Sequence, residues 1–156
     1  RDFCLSRGLG DVYKRQREDS ATPVAKMLLA GAGFHVASAQ VVPEGAEAVS
    51  AALDEAIAAG TNLILTCGGT GLGPSNLTPE ATQERITTRL HGVETQILLT
   101  GLEHSDRAAL CRGVVGLTSR EPGGSLIANA PGSRGGTADT LAVVLSLWPS
   151  IAEWLV

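Results

Sequence analysis

The chain has 156 residues, the length of one domain, and a formal net charge of −4, which gives no positive surface for nucleic acid or acidic membranes. Hydrophobic residues make up 44% of it and aromatic residues only 3%, so Ala, Val, Leu and Ile must fill the core. The cysteines, three in number and without C-x-x-C spacing, predict neither a disulfide framework nor a zinc site. No apolar run approaches the roughly 18 residues of a membrane span, and no secretory apolar core is present, so we expect a cytoplasmic protein.

Residues 1–16 differ in character from the rest of the chain. They contain four of the 12 Lys and Arg residues and show neither strand alternation nor a helical apolar stripe. We therefore expect an atypical N-terminal segment, irregular and outside the native fold, followed by one domain over residues 17–156. The segment is interpreted either as foreign to the domain or as a divergent disordered tail.

From Ser20 onward, apolar spacing and turn residues predict alternating helices and strands. A helix begins at Ser20 or Thr22, has Pro23 in its first turn and ends at Gly31. Strands are predicted over 34–42 and 63–66, with a helix between them that runs to about 59. Further helices are predicted over 79–90, with Thr78 as its cap, over 92–102, over a short segment in 106–113, and from 137 onward with a break at Pro149.

The predicted strands over 114–117 and 126–128 are close enough to form a hairpin-like pair. Together with the alternating strands and helices before them, they predict the fold class α/β. We expect a three-layer α/β/α domain with a doubly wound, mostly parallel sheet and a short antiparallel, hairpin-like addition.

The loop that follows the strand over 63–66 is the most informative segment of the sequence. It is rich in glycine and leads into the helix that begins near Thr78, an arrangement whose amide groups suit a phosphate. It is not a P-loop, because the only lysines are Lys14 and Lys26, and its glycines at 69, 71 and 73 do not match G-x-G-x-x-G. The alternative interpretation is a strand-to-helix turn that binds no ligand.

Three ordered motifs resemble the molybdenum cofactor biosynthesis family typified by the MoaB and Mog proteins. That family carries Thr-Gly-Gly-Thr-Gly, then Pro-Arg-Asp and Val-Thr-Pro-Glu-Ala; the corresponding segments here are Cys67-Gly68-Gly69-Thr70-Gly71, Pro74-Ser75-Asn76 and Leu77-Thr78-Pro79-Glu80-Ala81. The segment Asn129–Gly136 is similar to the family's Asn-Leu-Pro-Gly-Ser-Pro-Gly-Gly. Leu110-Cys111-Arg112-Gly113 is similar to its Leu-Ser-Arg-Gly. The likeness covers roughly residues 17–156.

The resemblance implies transfer of an adenylyl group from ATP, with Mg²⁺, to the phosphate of molybdopterin. It also implies a homo-oligomer, a trimer or a hexamer. Because ligands in open α/β sheets bind at the carboxyl ends of the strands, we expect residues 42–45, 67–76 and 129–136 to face one crevice. The implied phosphate and substrate residues are Gly68, Gly69, Thr70, Gly71, Ser75, Thr78, Glu80, Arg112, Asn129, Pro131, Gly132, Ser133, Gly135 and Gly136, with Arg134 as a further candidate phosphate partner.

The implied catalytic positions depart from the family pattern. Glu44 and Asn76 stand where active relatives have Asp, so Glu44 is the implied metal ligand and Asn76 has lost a charge that a hard cation prefers. Ser75 replaces the family's Arg, and Asn76 can alternatively be a turn residue that bonds to its own backbone. Two other functions stay open, a non-catalytic molybdopterin-binding or assembly protein and a nucleotide-binding regulatory domain unrelated to molybdenum.

Overall fold

The fold is built on one six-stranded sheet. A computed structural model of the chain describes residues 20–155 in full and residues 2–9 as backbone. The strand order is β2-β1-β3-β6-β5-β4, and the strands are β1 (Asp2–Leu9), β2 (His35–Pro43), β3 (Leu63–Cys67), β4 (Thr88–Arg89), β5 (Val115–Leu117) and β6 (Leu126–Ala130). The first four strands in that order are parallel, and β5 and β4 continue the sheet in antiparallel pairing. The antiparallel addition is therefore confirmed.

Helices cover both faces of the sheet. They are α1 (Ala21–Gly31), α2 (Ala46–Ala58), α3 (Thr78–Gln83), α4 (His91–Leu102) and α5 (Arg134–Leu155), with a 3₁₀ helix over Asp106–Leu110. Residues of α1 and α5 pack in one apolar cluster, with α4 against it, whereas α2 and α3 contribute to a second cluster. These clusters lie on opposite faces of the sheet, so the predicted three-layer α/β/α architecture is confirmed.

The alternation of side chains along β3 explains why there are two clusters. Leu63 and Leu65 belong to the cluster of α1 and α5, and Ile64 between them belongs to the cluster of α2 and α3. A strand buried on both faces must be apolar at consecutive positions, as this one is.

Trp148 lies in the core, with 1% of its surface exposed. Its ring meets Phe34 edge-on at a centroid distance of 5.1 Å. In the sequence, the C-terminal region contains Leu145, Leu147, Trp148 and Trp154, more apolar surface than one helix face can easily bury, which predicts an exposed patch suited to an oligomer. That prediction is wrong for Trp148, whereas Trp154 is 69% exposed.

The prediction that the N-terminal segment is irregular is wrong for residues 2–9, which form β1. This strand lies between β2 and β3 and pairs with both in parallel, for example Leu5 with Ala39 and with Leu65. Without β1, the facing edges of β2 and β3 would leave their backbone N–H and C=O groups unpaired. Pairing with those edges therefore favours a strand over residues 2–9, although their own sequence pattern does not indicate one. Residues 10–16 lie outside the described residues.

Two predicted helices differ from the observed ones. The helix expected over 79–90 ends at Gln83, because the chain turns there to pair with β5: the N–H of Thr87 donates to Leu117 and that of Leu90 to Val115. The predicted break at Pro149 is absent, and α5 continues through that residue. Burial of Val144, Trp148 and Leu155 along α5 holds it together despite the hydrogen bond that proline cannot make.

Candidate functional site

The loops that follow β2, β3 and β6 meet at the carboxyl edge of the sheet, as predicted. Ser75 Oγ donates to Glu44 Oε2 at 2.8 Å, which joins the second loop to the first. The N–H of Gly68 donates to the carbonyl of Ala130 at 2.9 Å. A Cβ added to Gly132 would lie 3.4 Å from Gly68 Cα, so the third loop packs directly on the second. All three loops therefore lie together at one edge of the sheet.

Glycine is required at the start of the glycine loop (residues 67–76). Gly68 and Gly69 have φ of 101° and 68°, in the left-handed region that other residues rarely adopt. A Cβ on Gly69 would lie 2.1 Å from Thr78 Oγ1, and the N–H of Thr78 donates to the Gly69 carbonyl at 3.2 Å. Gly69 is therefore needed to close the loop onto α3, whatever ligand the loop binds.

Two predicted phosphate-binding hydroxyls point into the protein. Thr70 and Thr78 are 5% and 3% exposed, and Thr70 Oγ1 accepts a hydrogen bond from the Cys111 thiol at 3.4 Å. Thr78 is the first residue of α3, and Leu77 stands at the cap position without a side-chain cap. The prediction that Thr78 caps the helix is thus wrong.

Arg112 is held by the glycine loop. Its guanidinium donates to the carbonyls of Gly71 at 2.9 Å and Asn76 at 2.6 Å, and it forms an ion pair with Glu80 in the first turn of α3. The hydrogen bond from Arg112 holds the pKa of the Glu80 carboxyl below its ordinary value, so Glu80 is ionised at neutral pH.

Glu44 and Asn76, the predicted catalytic pair, lie in adjoining loops. Glu44 is half-buried and accepts the hydrogen bond from Ser75. The Asn76 side chain packs against Gly71, since a Cβ on Gly71 would lie 2.6 Å from Asn76 Oδ1. Its side-chain amide makes no hydrogen bond to any of the described residues. Its N–H donates to the Gly73 carbonyl at 3.0 Å. The amide therefore retains its polar atoms for a ligand.

Asn129 is the centre of a buried polar network beneath the loops, with 2% of its surface exposed. Its Oδ1 accepts from the N–H of Val114 at 3.0 Å, and its Nδ2 donates to Thr66 Oγ1 and to Thr82 Oγ1, both at 2.9 Å. Both amide protons are used, so this side chain supports β3, β6 and α3 and has no donor left for a substrate. Neither Thr66 nor Thr82 was predicted to belong to the site. The signal for Thr66 was a polar residue inside an otherwise apolar buried strand.

The amino end of α5, which lies at the end of the third loop, is exposed to solvent. Ser133 caps it, with Oγ accepting from the N–H of Gly136 at 3.0 Å and the carbonyl accepting from Thr137 at 3.0 Å. A Cβ on Gly136 would lie 2.7 Å from Pro131 Cγ, whereas one on Gly135 would meet nothing within 4 Å. In the described part of the chain the N–H groups of Arg134 and Gly135 have no acceptor, so this helix end can receive an anion.

Among the residues that the structure describes, no group of three or more His, Cys, Asp and Glu side chains could hold a metal ion. Glu44 is a carboxylate of the first loop and is bonded to Ser75 of the second. Mg²⁺ commonly uses only one or two protein carboxylates together with substrate phosphates and water, so this donor set fits a metal that arrives with a nucleotide. No helix in the described part is long and apolar enough to cross a membrane.

Comparison with known proteins gives concordant results. Residues 9–151 match the family described as "Probable molybdopterin binding domain". The chain is 34% identical to the molybdopterin biosynthesis enzyme MoaB from Thermus thermophilus, with a TM-score of 0.84 over 97% of this chain and 94% of that one. It is 34% identical over 110 residues to gephyrin from Dictyostelium discoideum, covering 70% of this chain, and 30% identical over 127 residues to a molybdenum cofactor biosynthesis bifunctional protein from Chlorobaculum tepidum, covering 81%. The chain spans 15% and 39% of the lengths of these two curated relatives.

Proposed function

The chain belongs to the family of probable molybdopterin-binding domains in molybdenum cofactor biosynthesis, and from that premise we propose that it adenylylates molybdopterin. An oxygen of the molybdopterin phosphate attacks the α-phosphorus of ATP. The bond from that phosphorus to the bridging oxygen breaks, and pyrophosphate leaves. The observation that carries the proposal is the meeting of three strand-end loops at one edge, joined by the Ser75–Glu44 hydrogen bond and by the packing of Gly132 on Gly68.

In this proposal, different parts of the site bind the two anions, the ATP phosphates and the molybdopterin phosphate. The glycine loop supplies backbone amides for the nucleotide phosphates, and the open amides of Arg134 and Gly135 at the end of α5 receive the molybdopterin phosphate. Such a transfer depends on bringing the two reactants together and on stabilising charge, rather than on a covalent step by the protein. We propose Glu44 as the side chain that holds Mg²⁺, which supplies charge neutralisation for the leaving pyrophosphate when bound.

Ser75 has a definite part in this arrangement. Its hydroxyl donates to Oε2 of Glu44, and the other carboxylate oxygen accepts no hydrogen bond from the described residues. Where the family has an arginine, this chain therefore has a residue that orients its carboxylate. We propose that the Ser75–Glu44 pair compensates in part for the neutral residue at position 76.

The second candidate function is a molybdopterin-binding or assembly protein without turnover. The observation that favours it is the neutral amide of Asn76 at a position where an acid would assist the metal. Turnover by the parent distinguishes the two functions, and Asn76→Asp tests whether the neutral amide is the cause, because Asp is nearly the same size and preserves the fit over Gly71. For a chain that only binds, we expect Asn76→Asp to create Mg²⁺-dependent turnover. For an enzyme, the parent already turns over, and an unchanged rate in the variant would show that Asn76 is no handicap.

We also propose that the chain assembles into a homo-oligomer. Leu98, Leu99 and Leu102 are each at least 38% exposed along α4, and Leu110 is 52% exposed in the adjacent 3₁₀ helix. Exposed apolar side chains grouped in this way are typical of a protein interface.

A further inference from the structure

We propose that Arg112 is a positioning residue, which fixes the glycine loop through its backbone carbonyls instead of binding phosphate itself. The inference rests on the proposed function only in taking the glycine loop as a ligand site. The family resemblance implied that Arg112 is a phosphate-binding residue. The structure gives its guanidinium other acceptors, Gly71, Asn76 and Glu80.

The contacts of Arg112 span the irregular part of the loop from end to end. Its own N–H donates to the Thr70 carbonyl at 3.0 Å, Nε to the Gly71 carbonyl at 2.9 Å, and Nη2 to the Asn76 carbonyl at 2.6 Å. The other backbone bonds within this stretch are local, such as Asn76 to Gly73 and Leu77 to Ser75. Arg112 thus joins the two ends of the segment 71–76 and determines how far apart they lie.

Glu80 holds the guanidinium in place from the far side. It lies in the first turn of α3, immediately after the loop, and its ion pair with Arg112 couples the loop to the helix. Each of the three acceptors is bonded to a different nitrogen of Arg112, an arrangement that the planar fork of a guanidinium provides. A lysine ammonium keeps the charge but is a compact group on a flexible stem, so it does not reproduce this bridge.

The bridge also determines which polar groups the loop offers to an anion. Carbonyl oxygens repel phosphate, and the Gly71 and Asn76 carbonyls are turned toward a cation. Because the described peptide bonds are trans, the N–H of Leu72 points opposite to the Gly71 carbonyl, and it donates to none of the described residues. Arg112 therefore orients the Leu72 amide for an anion that it does not itself have to touch, whereas the N–H of Leu77, which follows the Asn76 carbonyl, already donates to the Ser75 carbonyl at 3.1 Å.

Hydrogen exchange on the protein without ligand tests the inference directly. In Arg112→Ala and Arg112→Lys we expect the amides of Asn76, Leu77 and Thr78 to exchange about tenfold faster, with a smaller increase in Glu80→Gln. Arg107→Ala, which removes an exposed arginine from the neighbouring 3₁₀ helix, is the matched control and should leave these amides unchanged. Unchanged exchange in both Arg112 variants would overturn the proposal.

Titration calorimetry with ATP and Mg²⁺ separates positioning from direct binding. If Arg112 only positions the loop, Glu80→Gln should weaken ATP binding. The double variant Glu80→Gln with Arg112→Lys should then bind ATP no more weakly than Arg112→Lys alone. Two guanidinium N–H groups have no acceptor in the described part of the chain, so a direct contact is the competing outcome. If Arg112 contacts the phosphate directly, Glu80→Gln should leave the affinity for ATP unchanged or raise it. Arg112→Lys should then retain most of the parent's affinity for ATP. A parent chain that binds no ATP would contradict the proposed function, while hydrogen exchange would still decide the role of Arg112.

Discussion

Substitution of Gly135 by alanine should weaken ligand binding without weakening the fold. Gly135 is the second residue of α5, its φ is not positive, and an added Cβ meets nothing within 4 Å. Gly→Ala at a compatible position stabilises a protein by about 0.4–1 kcal/mol. For a domain of this size that corresponds to a rise in Tm of about 1–4 °C.

The same methyl group would stand beside the open N–H groups that we assign to the molybdopterin phosphate. A hydrogen bond to a charged group contributes about 1.5–3 kcal/mol, so losing one should weaken binding about ten- to a hundredfold. Gly92→Ala is the matched control, since Gly92 is the second residue of α4 and equally open. Calorimetric titration with molybdopterin and thermal melting of both variants are the measurements. Equal affinity in the two variants would refute the assignment of the α5 amino end.

Three further predictions concern the Asn129 hydrogen-bond network, the Arg112–Glu80 ion pair and the homo-oligomer. Asn129→Leu should lower the free energy of unfolding by about 3 kcal/mol or more in urea titration, because the Val114 amide and two threonine hydroxyls lose their partner in the interior; a loss below about 1 kcal/mol would contradict the role of this network. The hydrogen bond from Arg112 lowers the pKa of Glu80, so the pair stabilises the fold fully above the ordinary Glu pKa near 4.5 and loses that stabilisation as the pH falls further. When Tm is measured from pH 3 to 6, its fall toward low pH should therefore be less steep in Glu80→Gln than in the parent. Parallel curves of Tm against pH would exclude the effect. Sedimentation at micromolar concentration should give a species heavier than the 16.0 kDa chain, and a monomer alone would contradict the oligomer.

The sequence was sufficient to predict features that depend on local pattern. The strand Leu63–Cys67 and the helices around it follow from apolar spacing and from glycine at the turns. The meeting of the three loops follows from the rule that parallel strands end at the same edge. Glycine content alone did not show why position 69 must be glycine. In the structure, a Cβ at this position would collide with the side chain of Thr78.

Features that depend on distant partners could not be predicted in the same way. Residues 2–9 lack a strand pattern of their own, and their pairing with β2 and β3 is set by what those strands leave open. Arg112 and Asn129 were both predicted to bind the ligand, because they lie in segments that resemble the family's motifs. Their actual acceptors lie 32 to 63 positions away along the chain, and only the folded arrangement reveals them.

The most direct test of the central claim is a product assay for adenylylated molybdopterin. Protein, molybdopterin, ATP and Mg²⁺ are incubated, and adenylylated molybdopterin and pyrophosphate are quantified together. The proposal predicts that both products form in equal amounts, that both require Mg²⁺, and that Glu44→Gln lowers their rate at least about tenfold. Binding of molybdopterin without any adenylylated product, in the parent chain at saturating ATP, would contradict the enzymatic account and leave the binding function in its place.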